Sequence, residues 1–462
     1  MKNDNEKTAQ RKKNAVELAF LKKTKKIWLN SFFIISLLNH NTKNVNNMKI
    51  KLSFIMFFLS VSLAFAGGYR ISMQGNKQLA MGHTGVAVVN SAEVLFFNPS
   101  GMSFLENRFN ASAGGSMLFS NNKFQNETFN WSSKSENTGT PFYAYASYRI
   151  TDWFSAGLAV YSPYGSTVEW DKDWYGSHLV NKIALQAIYF QPSIAFKISD
   201  YFSVGGGPIF ATGSVEFNRN ISRTLTNEQG RRSNVNLDAS GVTSWGWTAG
   251  MMLNLTEEIR LGLNYRSEMT MEARGGEAKF ADIPAFLGGD LTTTFDADLP
   301  LPAELTVGLS YQITDRLLFA FDYNYVQWSA YKALNVYFGQ GAPASESINA
   351  RNYKNSSTYR LGLQYQATDK FTFRVGWYYD QSPIQNGYFA PETPRNDSQG
   401  YTAGLTYQIT PNLGVDLAFL FLQFKEFNGS YDQYIEDGNK ISFGGLYKNA
   451  VVAPSIGLNY NF

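Results

Sequence analysis

Three histidines, His40, His83 and His178, and no cysteine are what this 462-residue chain offers for metal binding or nucleophilic catalysis. Without thiolates, and with the histidines scattered, no set of side chains has the spacing of a metal site. A serine hydrolase holds its serine and histidine side by side. Here His178 falls in a segment that reads as a loop, and His83 in a stretch without regular pattern. Gly205-Gly206-Gly207-Pro208 lacks the Gly-Lys-Ser/Thr ending that grips phosphate, and reads instead as a strand that bends or packs closely. The formal charge of +3 comes mostly from the Lys-rich first fifty residues, which leaves no footprint for nucleic acid. These residues describe a chain that is not an enzyme and holds no metal or cofactor.

The elements that must position any site announce themselves through rings and alternation. Aromatic residues make up 16% of the chain, yet the mean hydropathy is only -0.25. A helical membrane protein would show apolar runs of about 18 residues or more, and none appears after residue 66. Alternating lipid-facing and lumen-facing residues cancel in an average, so many rings without long apolar runs point to a membrane barrel.

A five-residue turn recurs at Ile150–Phe154, Ile198–Phe202, Leu255–Ile259, Ile313–Leu317, Ala367–Phe371 and Ile409–Leu413, with Thr or Ser and then Asp, Glu or Pro at its centre. The flanks alternate with period two: Leu305, Val307, Leu309 and Tyr311 form an apolar row against Thr306, Gly308, Ser310 and Gln312. Six turns joining pairs of strands, with one strand before and one after, give about fourteen, an even number that closes. The fold expected is all-β, a 14-stranded antiparallel transmembrane β-barrel. Polar connections on the other rim read as long loops: Asn121 to Thr140, Thr167 to Lys182, Asn220 to Gly241, Glu272 to Pro302, Ala333 to Asn355, Gln381 to Gln399 and Lys425 to Val451. On the polar strand faces, Arg266, Arg360, Arg374, Asp322 and Asp416 are expected to point inward as a ladder of ion pairs.

Upstream, Met48-Lys49-Ile50-Lys51, the apolar stretch Leu52 to Leu63 and Ala64-Phe65-Ala66 read as a signal peptide over 48–66. Residues 1–47 then read as an extension from a mis-called start codon. The ending Ile456 to Phe462 alternates and closes on an aromatic residue, a form that outer-membrane assembly machinery recognises. The location implied is the outer membrane of a Gram-negative cell. Between 67 and 105 the alternation fails, and this apolar segment is expected to fill the lumen as a small N-terminal hatch, or plug, with the barrel spanning 106–462.

Asn98-Pro99-Ser100 resembles the hatch of the FadL/TodX family of outer-membrane transporters for long-chain fatty acids and other hydrophobic compounds, whose members typically carry Asn-Pro-Ala there. Ser162-Pro163-Tyr164-Gly165, Trp245 to Gly250, Leu263 to Glu268, Leu299-Pro300, Gln327-Trp328-Ser329, Thr358 to Gly362 and Asp380 to Pro383 are similar in the same order. The resemblance implies passive diffusion of hydrophobic molecules, long-chain fatty acids or aromatic hydrocarbons, through a plugged single barrel with sideways exit into outer-membrane lipid. It maps the pocket-closing N-terminus onto Gly67, Gly68 and Tyr69, and a kinked strand onto Pro163, Tyr164 and Gly165. A strand end entering its loop is the other reading of that tripeptide. Phe286 and Leu287, in an apolar loop stretch, are candidates for a first collection surface or for local loop packing. Arg219 and Lys332 lie near the places of the family's carboxylate-binding cations, in a different register. A general porin for polar solutes, a barrel lipid hydrolase, and an adhesin or receptor surface remain as alternatives.

Overall fold

The structure, a computed structural model, describes residues 68–462. The expected extension, signal peptide and Gly67 lie outside the described residues. Strand follows strand: β1 (Phe109–Ser116 and Leu118–Asn126), β2 (Trp131–Gly139 and Phe142–Thr151), β3 (Phe154–Glu169), β4 (Lys182–Lys197), β5 (Phe202–Asn220), β6 (Asn234–Asn254) and β7 (Ile259–Arg266 and Met269–Ala281). They continue as β8 (Leu291–Leu301 and Glu304–Thr314), β9 (Leu317–Val326 and Ala333–Phe338), β10 (Glu346–Ala350 and Ser356–Gln366), β11 (Phe371–Asp380), β12 (Ser398–Gln408), β13 (Leu413–Phe424 and Phe427–Glu436) and β14 (Asn439–Asn461). Each pairs antiparallel with the one before, and β14 returns to β1 with Asn461 opposite Asn110 and Ser455 opposite Ser116. The result is a closed fourteen-stranded barrel, which leaves no unpaired edge in lipid.

The apolar rows face outward. Val307, Leu363, Phe419 and Leu458 are exposed, while the in-between Thr306, Thr402, Thr406 and Asp416 are buried. In five of the repeated turns the Ser or Thr hydroxyl accepts the backbone N–H three residues on, at 3.1 Å in each: Ser199 from Phe202, Thr256 from Ile259, Thr314 from Leu317, Thr368 from Phe371 and Thr410 from Leu413. The hydroxyl thus closes the turn in the way a backbone carbonyl would.

The other rim differs from expectation. Most of the segments read as long loops are strand: Leu118–Asn126 and Trp131–Gly139 meet across the turn at 127–130, and Met269–Ala281 pairs with Leu291–Leu301. Outside the lipid the outer face is wet, so it carries Asn, Asp and Lys and the apolar-out signal vanishes although the ladder continues. Among these segments, 170–181 and 381–397 contain no strand.

Residues 68–104 lie inside the wall. α1 (Asn76–Leu79), α2 (Val94–Phe97) and a 3-10 helix (Pro99–Phe104) are nearly all buried. Their partners come from strands all round the barrel. Gln191 of β4 donates to Leu95 O (2.7 Å), Ser203 of β5 to Ser100 O (3.0 Å), Ser310 of β8 to Ala87 O (2.8 Å), and Thr402 of β12 accepts from Gly82 N (2.9 Å). Gly376 in β11 is required by this fit, since a Cβ there would collide with the Gly82 backbone. Gly205, in the glycine run of β5, likewise leaves no room, since a Cβ there would lie 2.8 Å from Ser100 N.

The inward charges are buried, but not as the expected ladder. Asp322 accepts the amides of Gly85 (2.8 Å) and Val86 (3.2 Å); Arg374 donates to Gln364 and Thr406; Asp416 accepts from Asn459; Arg266 donates to Phe96 O (3.0 Å). The inner segment's backbone serves Asp322 and Arg266, and neutral wall side chains serve Arg374 and Asp416, so these charges need not pair with one another.

Candidate binding cavity and its floor

Above the inner segment the strand pattern inverts. Val235 and Leu237 of β6, Phe295 and Leu299 of β8, and Val336 of β9 and Leu185 of β4 turn inward, while Asn236, Asp238, Asp296 and Asp298 turn out. Period two still governs, but the outside is water and the inside is greasy. These faces enclose an apolar cavity with about 1060 Å³ of atom-free space, its mouth included, lined also by Val215, Phe217, Met271 and Phe338. That is the size and lining of a site for a lipophilic ligand.

One part of the lining is polar: Arg219, Ser347, Asn349, Glu392 and Thr393. Glu392 forms a buried ion pair with Arg351, whose guanidinium also donates to Tyr431 (3.1 Å). Arg219 donates to Ser347 Oγ (3.1 Å) and to His178 O (3.3 Å), and forms no ion pair with a carboxylate among the described residues. A charge-assisted hydrogen bond to an acid is therefore open to it. Lys332 is exposed, away from the lining.

Tyr69 lines the same cavity from the chain's N-terminal side. Its ring meets Trp328 edge-on (centroids 4.8 Å apart), Tyr331 (5.8 Å) and Tyr164 (5.8 Å), and its hydroxyl donates to Pro300 O. Gly68 packs so close to Trp328 that a Cβ would lie 2.6 Å from the indole. Next, Arg70 is clamped by Glu304 (2.6 Å), Asn324 (2.7 Å) and Thr358 (3.3 Å).

The chain then reaches the wall at an irregularity in β3. Tyr161 faces Tyr189 and Tyr164 faces Ala187, so Ser162 and Pro163 together stand opposite Ile188. This bulge frees two carbonyls, and the inner segment takes both: Ile71 N donates to Pro163 O (3.0 Å) and Gln74 Nε2 to Ser162 O (3.1 Å). A Cβ at Gly165 would lie 3.1 Å from the Ile71 side chain. Pro163, Tyr164 and Gly165 are thus within a continuous strand, not at its end.

Asn98-Pro99-Ser100 sits elsewhere in the inner segment. Asn98 Oδ1 accepts from the Ser100 hydroxyl (2.6 Å) and amide (3.3 Å), capping the 3-10 helix, while its Nδ2 donates to Val86 O and Met251 O, both at 3.0 Å. Phe286 and Leu287 are 80% and 46% exposed on a short 3-10 helix (Ala285–Leu287) between β7 and β8, with Ile283 buried beside them. Sequence reasoning missed Arg70, Glu304 and Tyr331; the first two carry no local signal, since their pairing spans most of the chain.

The two histidines among the described residues, His83 and His178, make no catalytic pair with a serine there. His178 lies against Tyr434 (4.7 Å) and Phe443 (5.6 Å), burial beside Arg223 pushes it down to about 4, and its Nε2 has no hydrogen-bond partner. His83 accepts from Gln74 N, and its Nδ1 has no partner. A serine–histidine dyad is not formed by either.

A closed barrel that is apolar toward lipid, holds its own N-terminal segment in the bore and keeps a greasy cavity above it defines an outer-membrane channel for hydrophobic compounds. The family described as "Outer membrane protein transport protein (OMPP1/FadL/TodX)" matches residues 58–462, and the chain belongs to it. It is a transport protein, not an enzyme. Outer membrane protein P1 of Haemophilus influenzae is 29% identical over 342 residues, covering 68% of this chain and 72% of that protein. The long-chain fatty acid transport protein of Escherichia coli K12 is 22% identical over 336 residues, covering 65% and 75%. In fold, a Pseudomonas aeruginosa FadL homologue superposes with TM-score 0.74 at 20% identity over 86% of this chain and all of the other. The Ralstonia pickettii toluene transporter TbuX gives 0.63 at 18% identity, covering 84% and 98%.

Proposed function

We propose that this protein carries long-chain fatty acids or aromatic hydrocarbons across the outer membrane by passive diffusion. The molecule is collected at the exposed Phe286 and Leu287 and held in the apolar cavity, where a carboxylate head group meets Arg219. Displacement of Gly68 and Tyr69 opens the floor, and the molecule leaves sideways into the bilayer at Pro163, Tyr164 and Gly165. The hatch, tied by Asn98, Pro99 and Ser100, blocks a straight path to the periplasm.

One observation carries this reading. The segment that floors the cavity with Tyr69 is bonded two residues later, through Ile71, to the one-residue bulge in β3. Moving the floor therefore loosens the wall. The chain has no native cysteine, so Ile71→Cys with Gly165→Cys introduces a single pair. Oxidised, this protein is expected to lose uptake of a radiolabelled long-chain fatty acid in cells lacking their own carrier; reductant restores it. Undiminished uptake by the oxidised form rejects the sideways route.

A further inference from the structure

Directly behind the bulge lies a second space that the carrier reading leaves without a role. Arg70, Ile71, His83, Phe96, Pro163, Asn264, Arg266, Glu304, Thr306 and Arg360 are among its walls, and it encloses about 400 Å³ of atom-free space, openings included. Its lining carries three arginines against one carboxylate, which is already taken by Arg70 and Asn324; Asp322 and Asp380 beyond the lining act on Arg360 electrostatically without a hydrogen bond or ion pair to it.

Donors without acceptors gather here. Arg360 is 4% exposed and makes no hydrogen bond or ion pair with any described residue. Its direct cross-strand neighbour is Asp322, but no hydrogen bond or ion pair joins the two: Asp322 Oδ2 accepts the amides of Gly85 and Val86, and its Oδ1 has no hydrogen-bond partner among the described residues. Arg266, 6% exposed, uses Nη2 on Phe96 O and lies over the Phe96 ring (4.5 Å), while its Nε has no hydrogen-bond partner among the described residues. Asn264 accepts at Oδ1 from Thr248, so its Nδ2 is available. The Gln74 amide donating to His83 Nε2 places the imidazole proton on Nδ1, a further donor without partner. Buried guanidinium groups without acceptors are strongly unfavourable unless something negative meets them.

We propose that this space is an anion subsite, taking one carboxylate group between Arg266 and Arg360. The carboxylate is the head group of an acid passing from the upper cavity toward the bulge, or a small free acid. The first source rests on the sideways route proposed above; the subsite itself does not.

Carboxyl-¹³C dodecanoate and carboxyl-¹³C acetate, each added to the full barrel in nanodiscs, separate these by the number of bound carboxylate signals. Dodecanoate is expected to give two, one lost in Arg219→Gln and the other in Arg360→Gln, with at least tenfold weaker occupancy in each case; Arg360→Lys keeps the second. A signal from acetate that disappears in Arg360→Gln, without a counterpart for dodecanoate, supports the subsite and assigns it to free small acids. Absence of any Arg360-dependent signal with both probes overturns the proposal while leaving the Arg219 signal, and hence the carrier reading, intact. Loss of the Arg219 signal alone does the reverse. Should Arg360→Gln not assemble as a heat-modifiable barrel, Arg266→Gln decides by the same readout.

Discussion

The same fourteen strands run through two environments, and their two halves are inside out relative to one another. Around the inner segment, Val307 and Leu363 face lipid and Thr306 and Asp322 face the bore. Higher up, Asp296 and Asn236 face out and Phe295 and Leu237 face in. The pleat is identical in both; what changes is which side holds water. Cargo is accommodated where the inner faces are apolar, and the inner segment is held where they are polar.

The boundary between the halves is the strongest place to break this contrast. Glu304→Ala leaves Arg70 with its neutral partners Asn324 and Thr358 and, as ion-pair partner, the more distant Asp380 (3.9 Å), a loss on the order of 3 kcal/mol for one partner of a buried pair. The N-terminal segment should then become cleavable by added protease in intact barrels, which is read by limited proteolysis; continued resistance shows that Arg70 does not hold it. A paired test sharpens the contrast. Val307→Arg, on the lipid face, is expected to destabilise folding into liposomes by about 2 kcal/mol or more. Asn236→Arg, on the wet outer face, should change it by less than about 0.5 kcal/mol. Equal effects would place lipid against both.

Phe295→Ala removes a ring from the cavity and is expected to weaken binding of a fluorescent fatty acid about tenfold, or ~1.4 kcal/mol, with the melting of the barrel nearly unchanged. A smaller loss than that of the cavity ring belongs to the turns. Thr410→Ala deletes the hydroxyl that accepts Leu413 N and should lower stability by about 0.5–1 kcal/mol in urea titration.

The lower half was legible because lipid imposes a one-sided pattern: apolar Leu305, Val307 and Leu309 with polar residues between them mark a strand, and Thr-Pro or Thr-Asp marks its end. The upper half was not, because Asn234-Val235-Asn236-Leu237-Asp238 alternates with polar residues that resemble loop chemistry, and no lipid-facing row reveals the strand. Tyr69, Pro163 and Arg219 could be picked out one at a time. The meeting of Tyr69 and Arg219 on one cavity, with Pro163 at the bulge behind it, could not, since Tyr69 meets Trp328 and Arg70 meets Glu304 across more than two hundred residues of chain. The inward charges were placed on the correct face, but Asp322 and Arg266 are met by the backbone of a segment whose path has no periodicity to read, and Arg374 and Asp416 by neutral side chains of the wall.

The seam between β1 and β14 carries a final implication for how the molecule is made. That seam cannot zip until every strand between them exists, whereas the segment destined for the bore precedes them all. Because it bonds to β4, β5, β8 and β12 alike, its set of contacts is complete only when the strands from β4 to β12 stand in place around it.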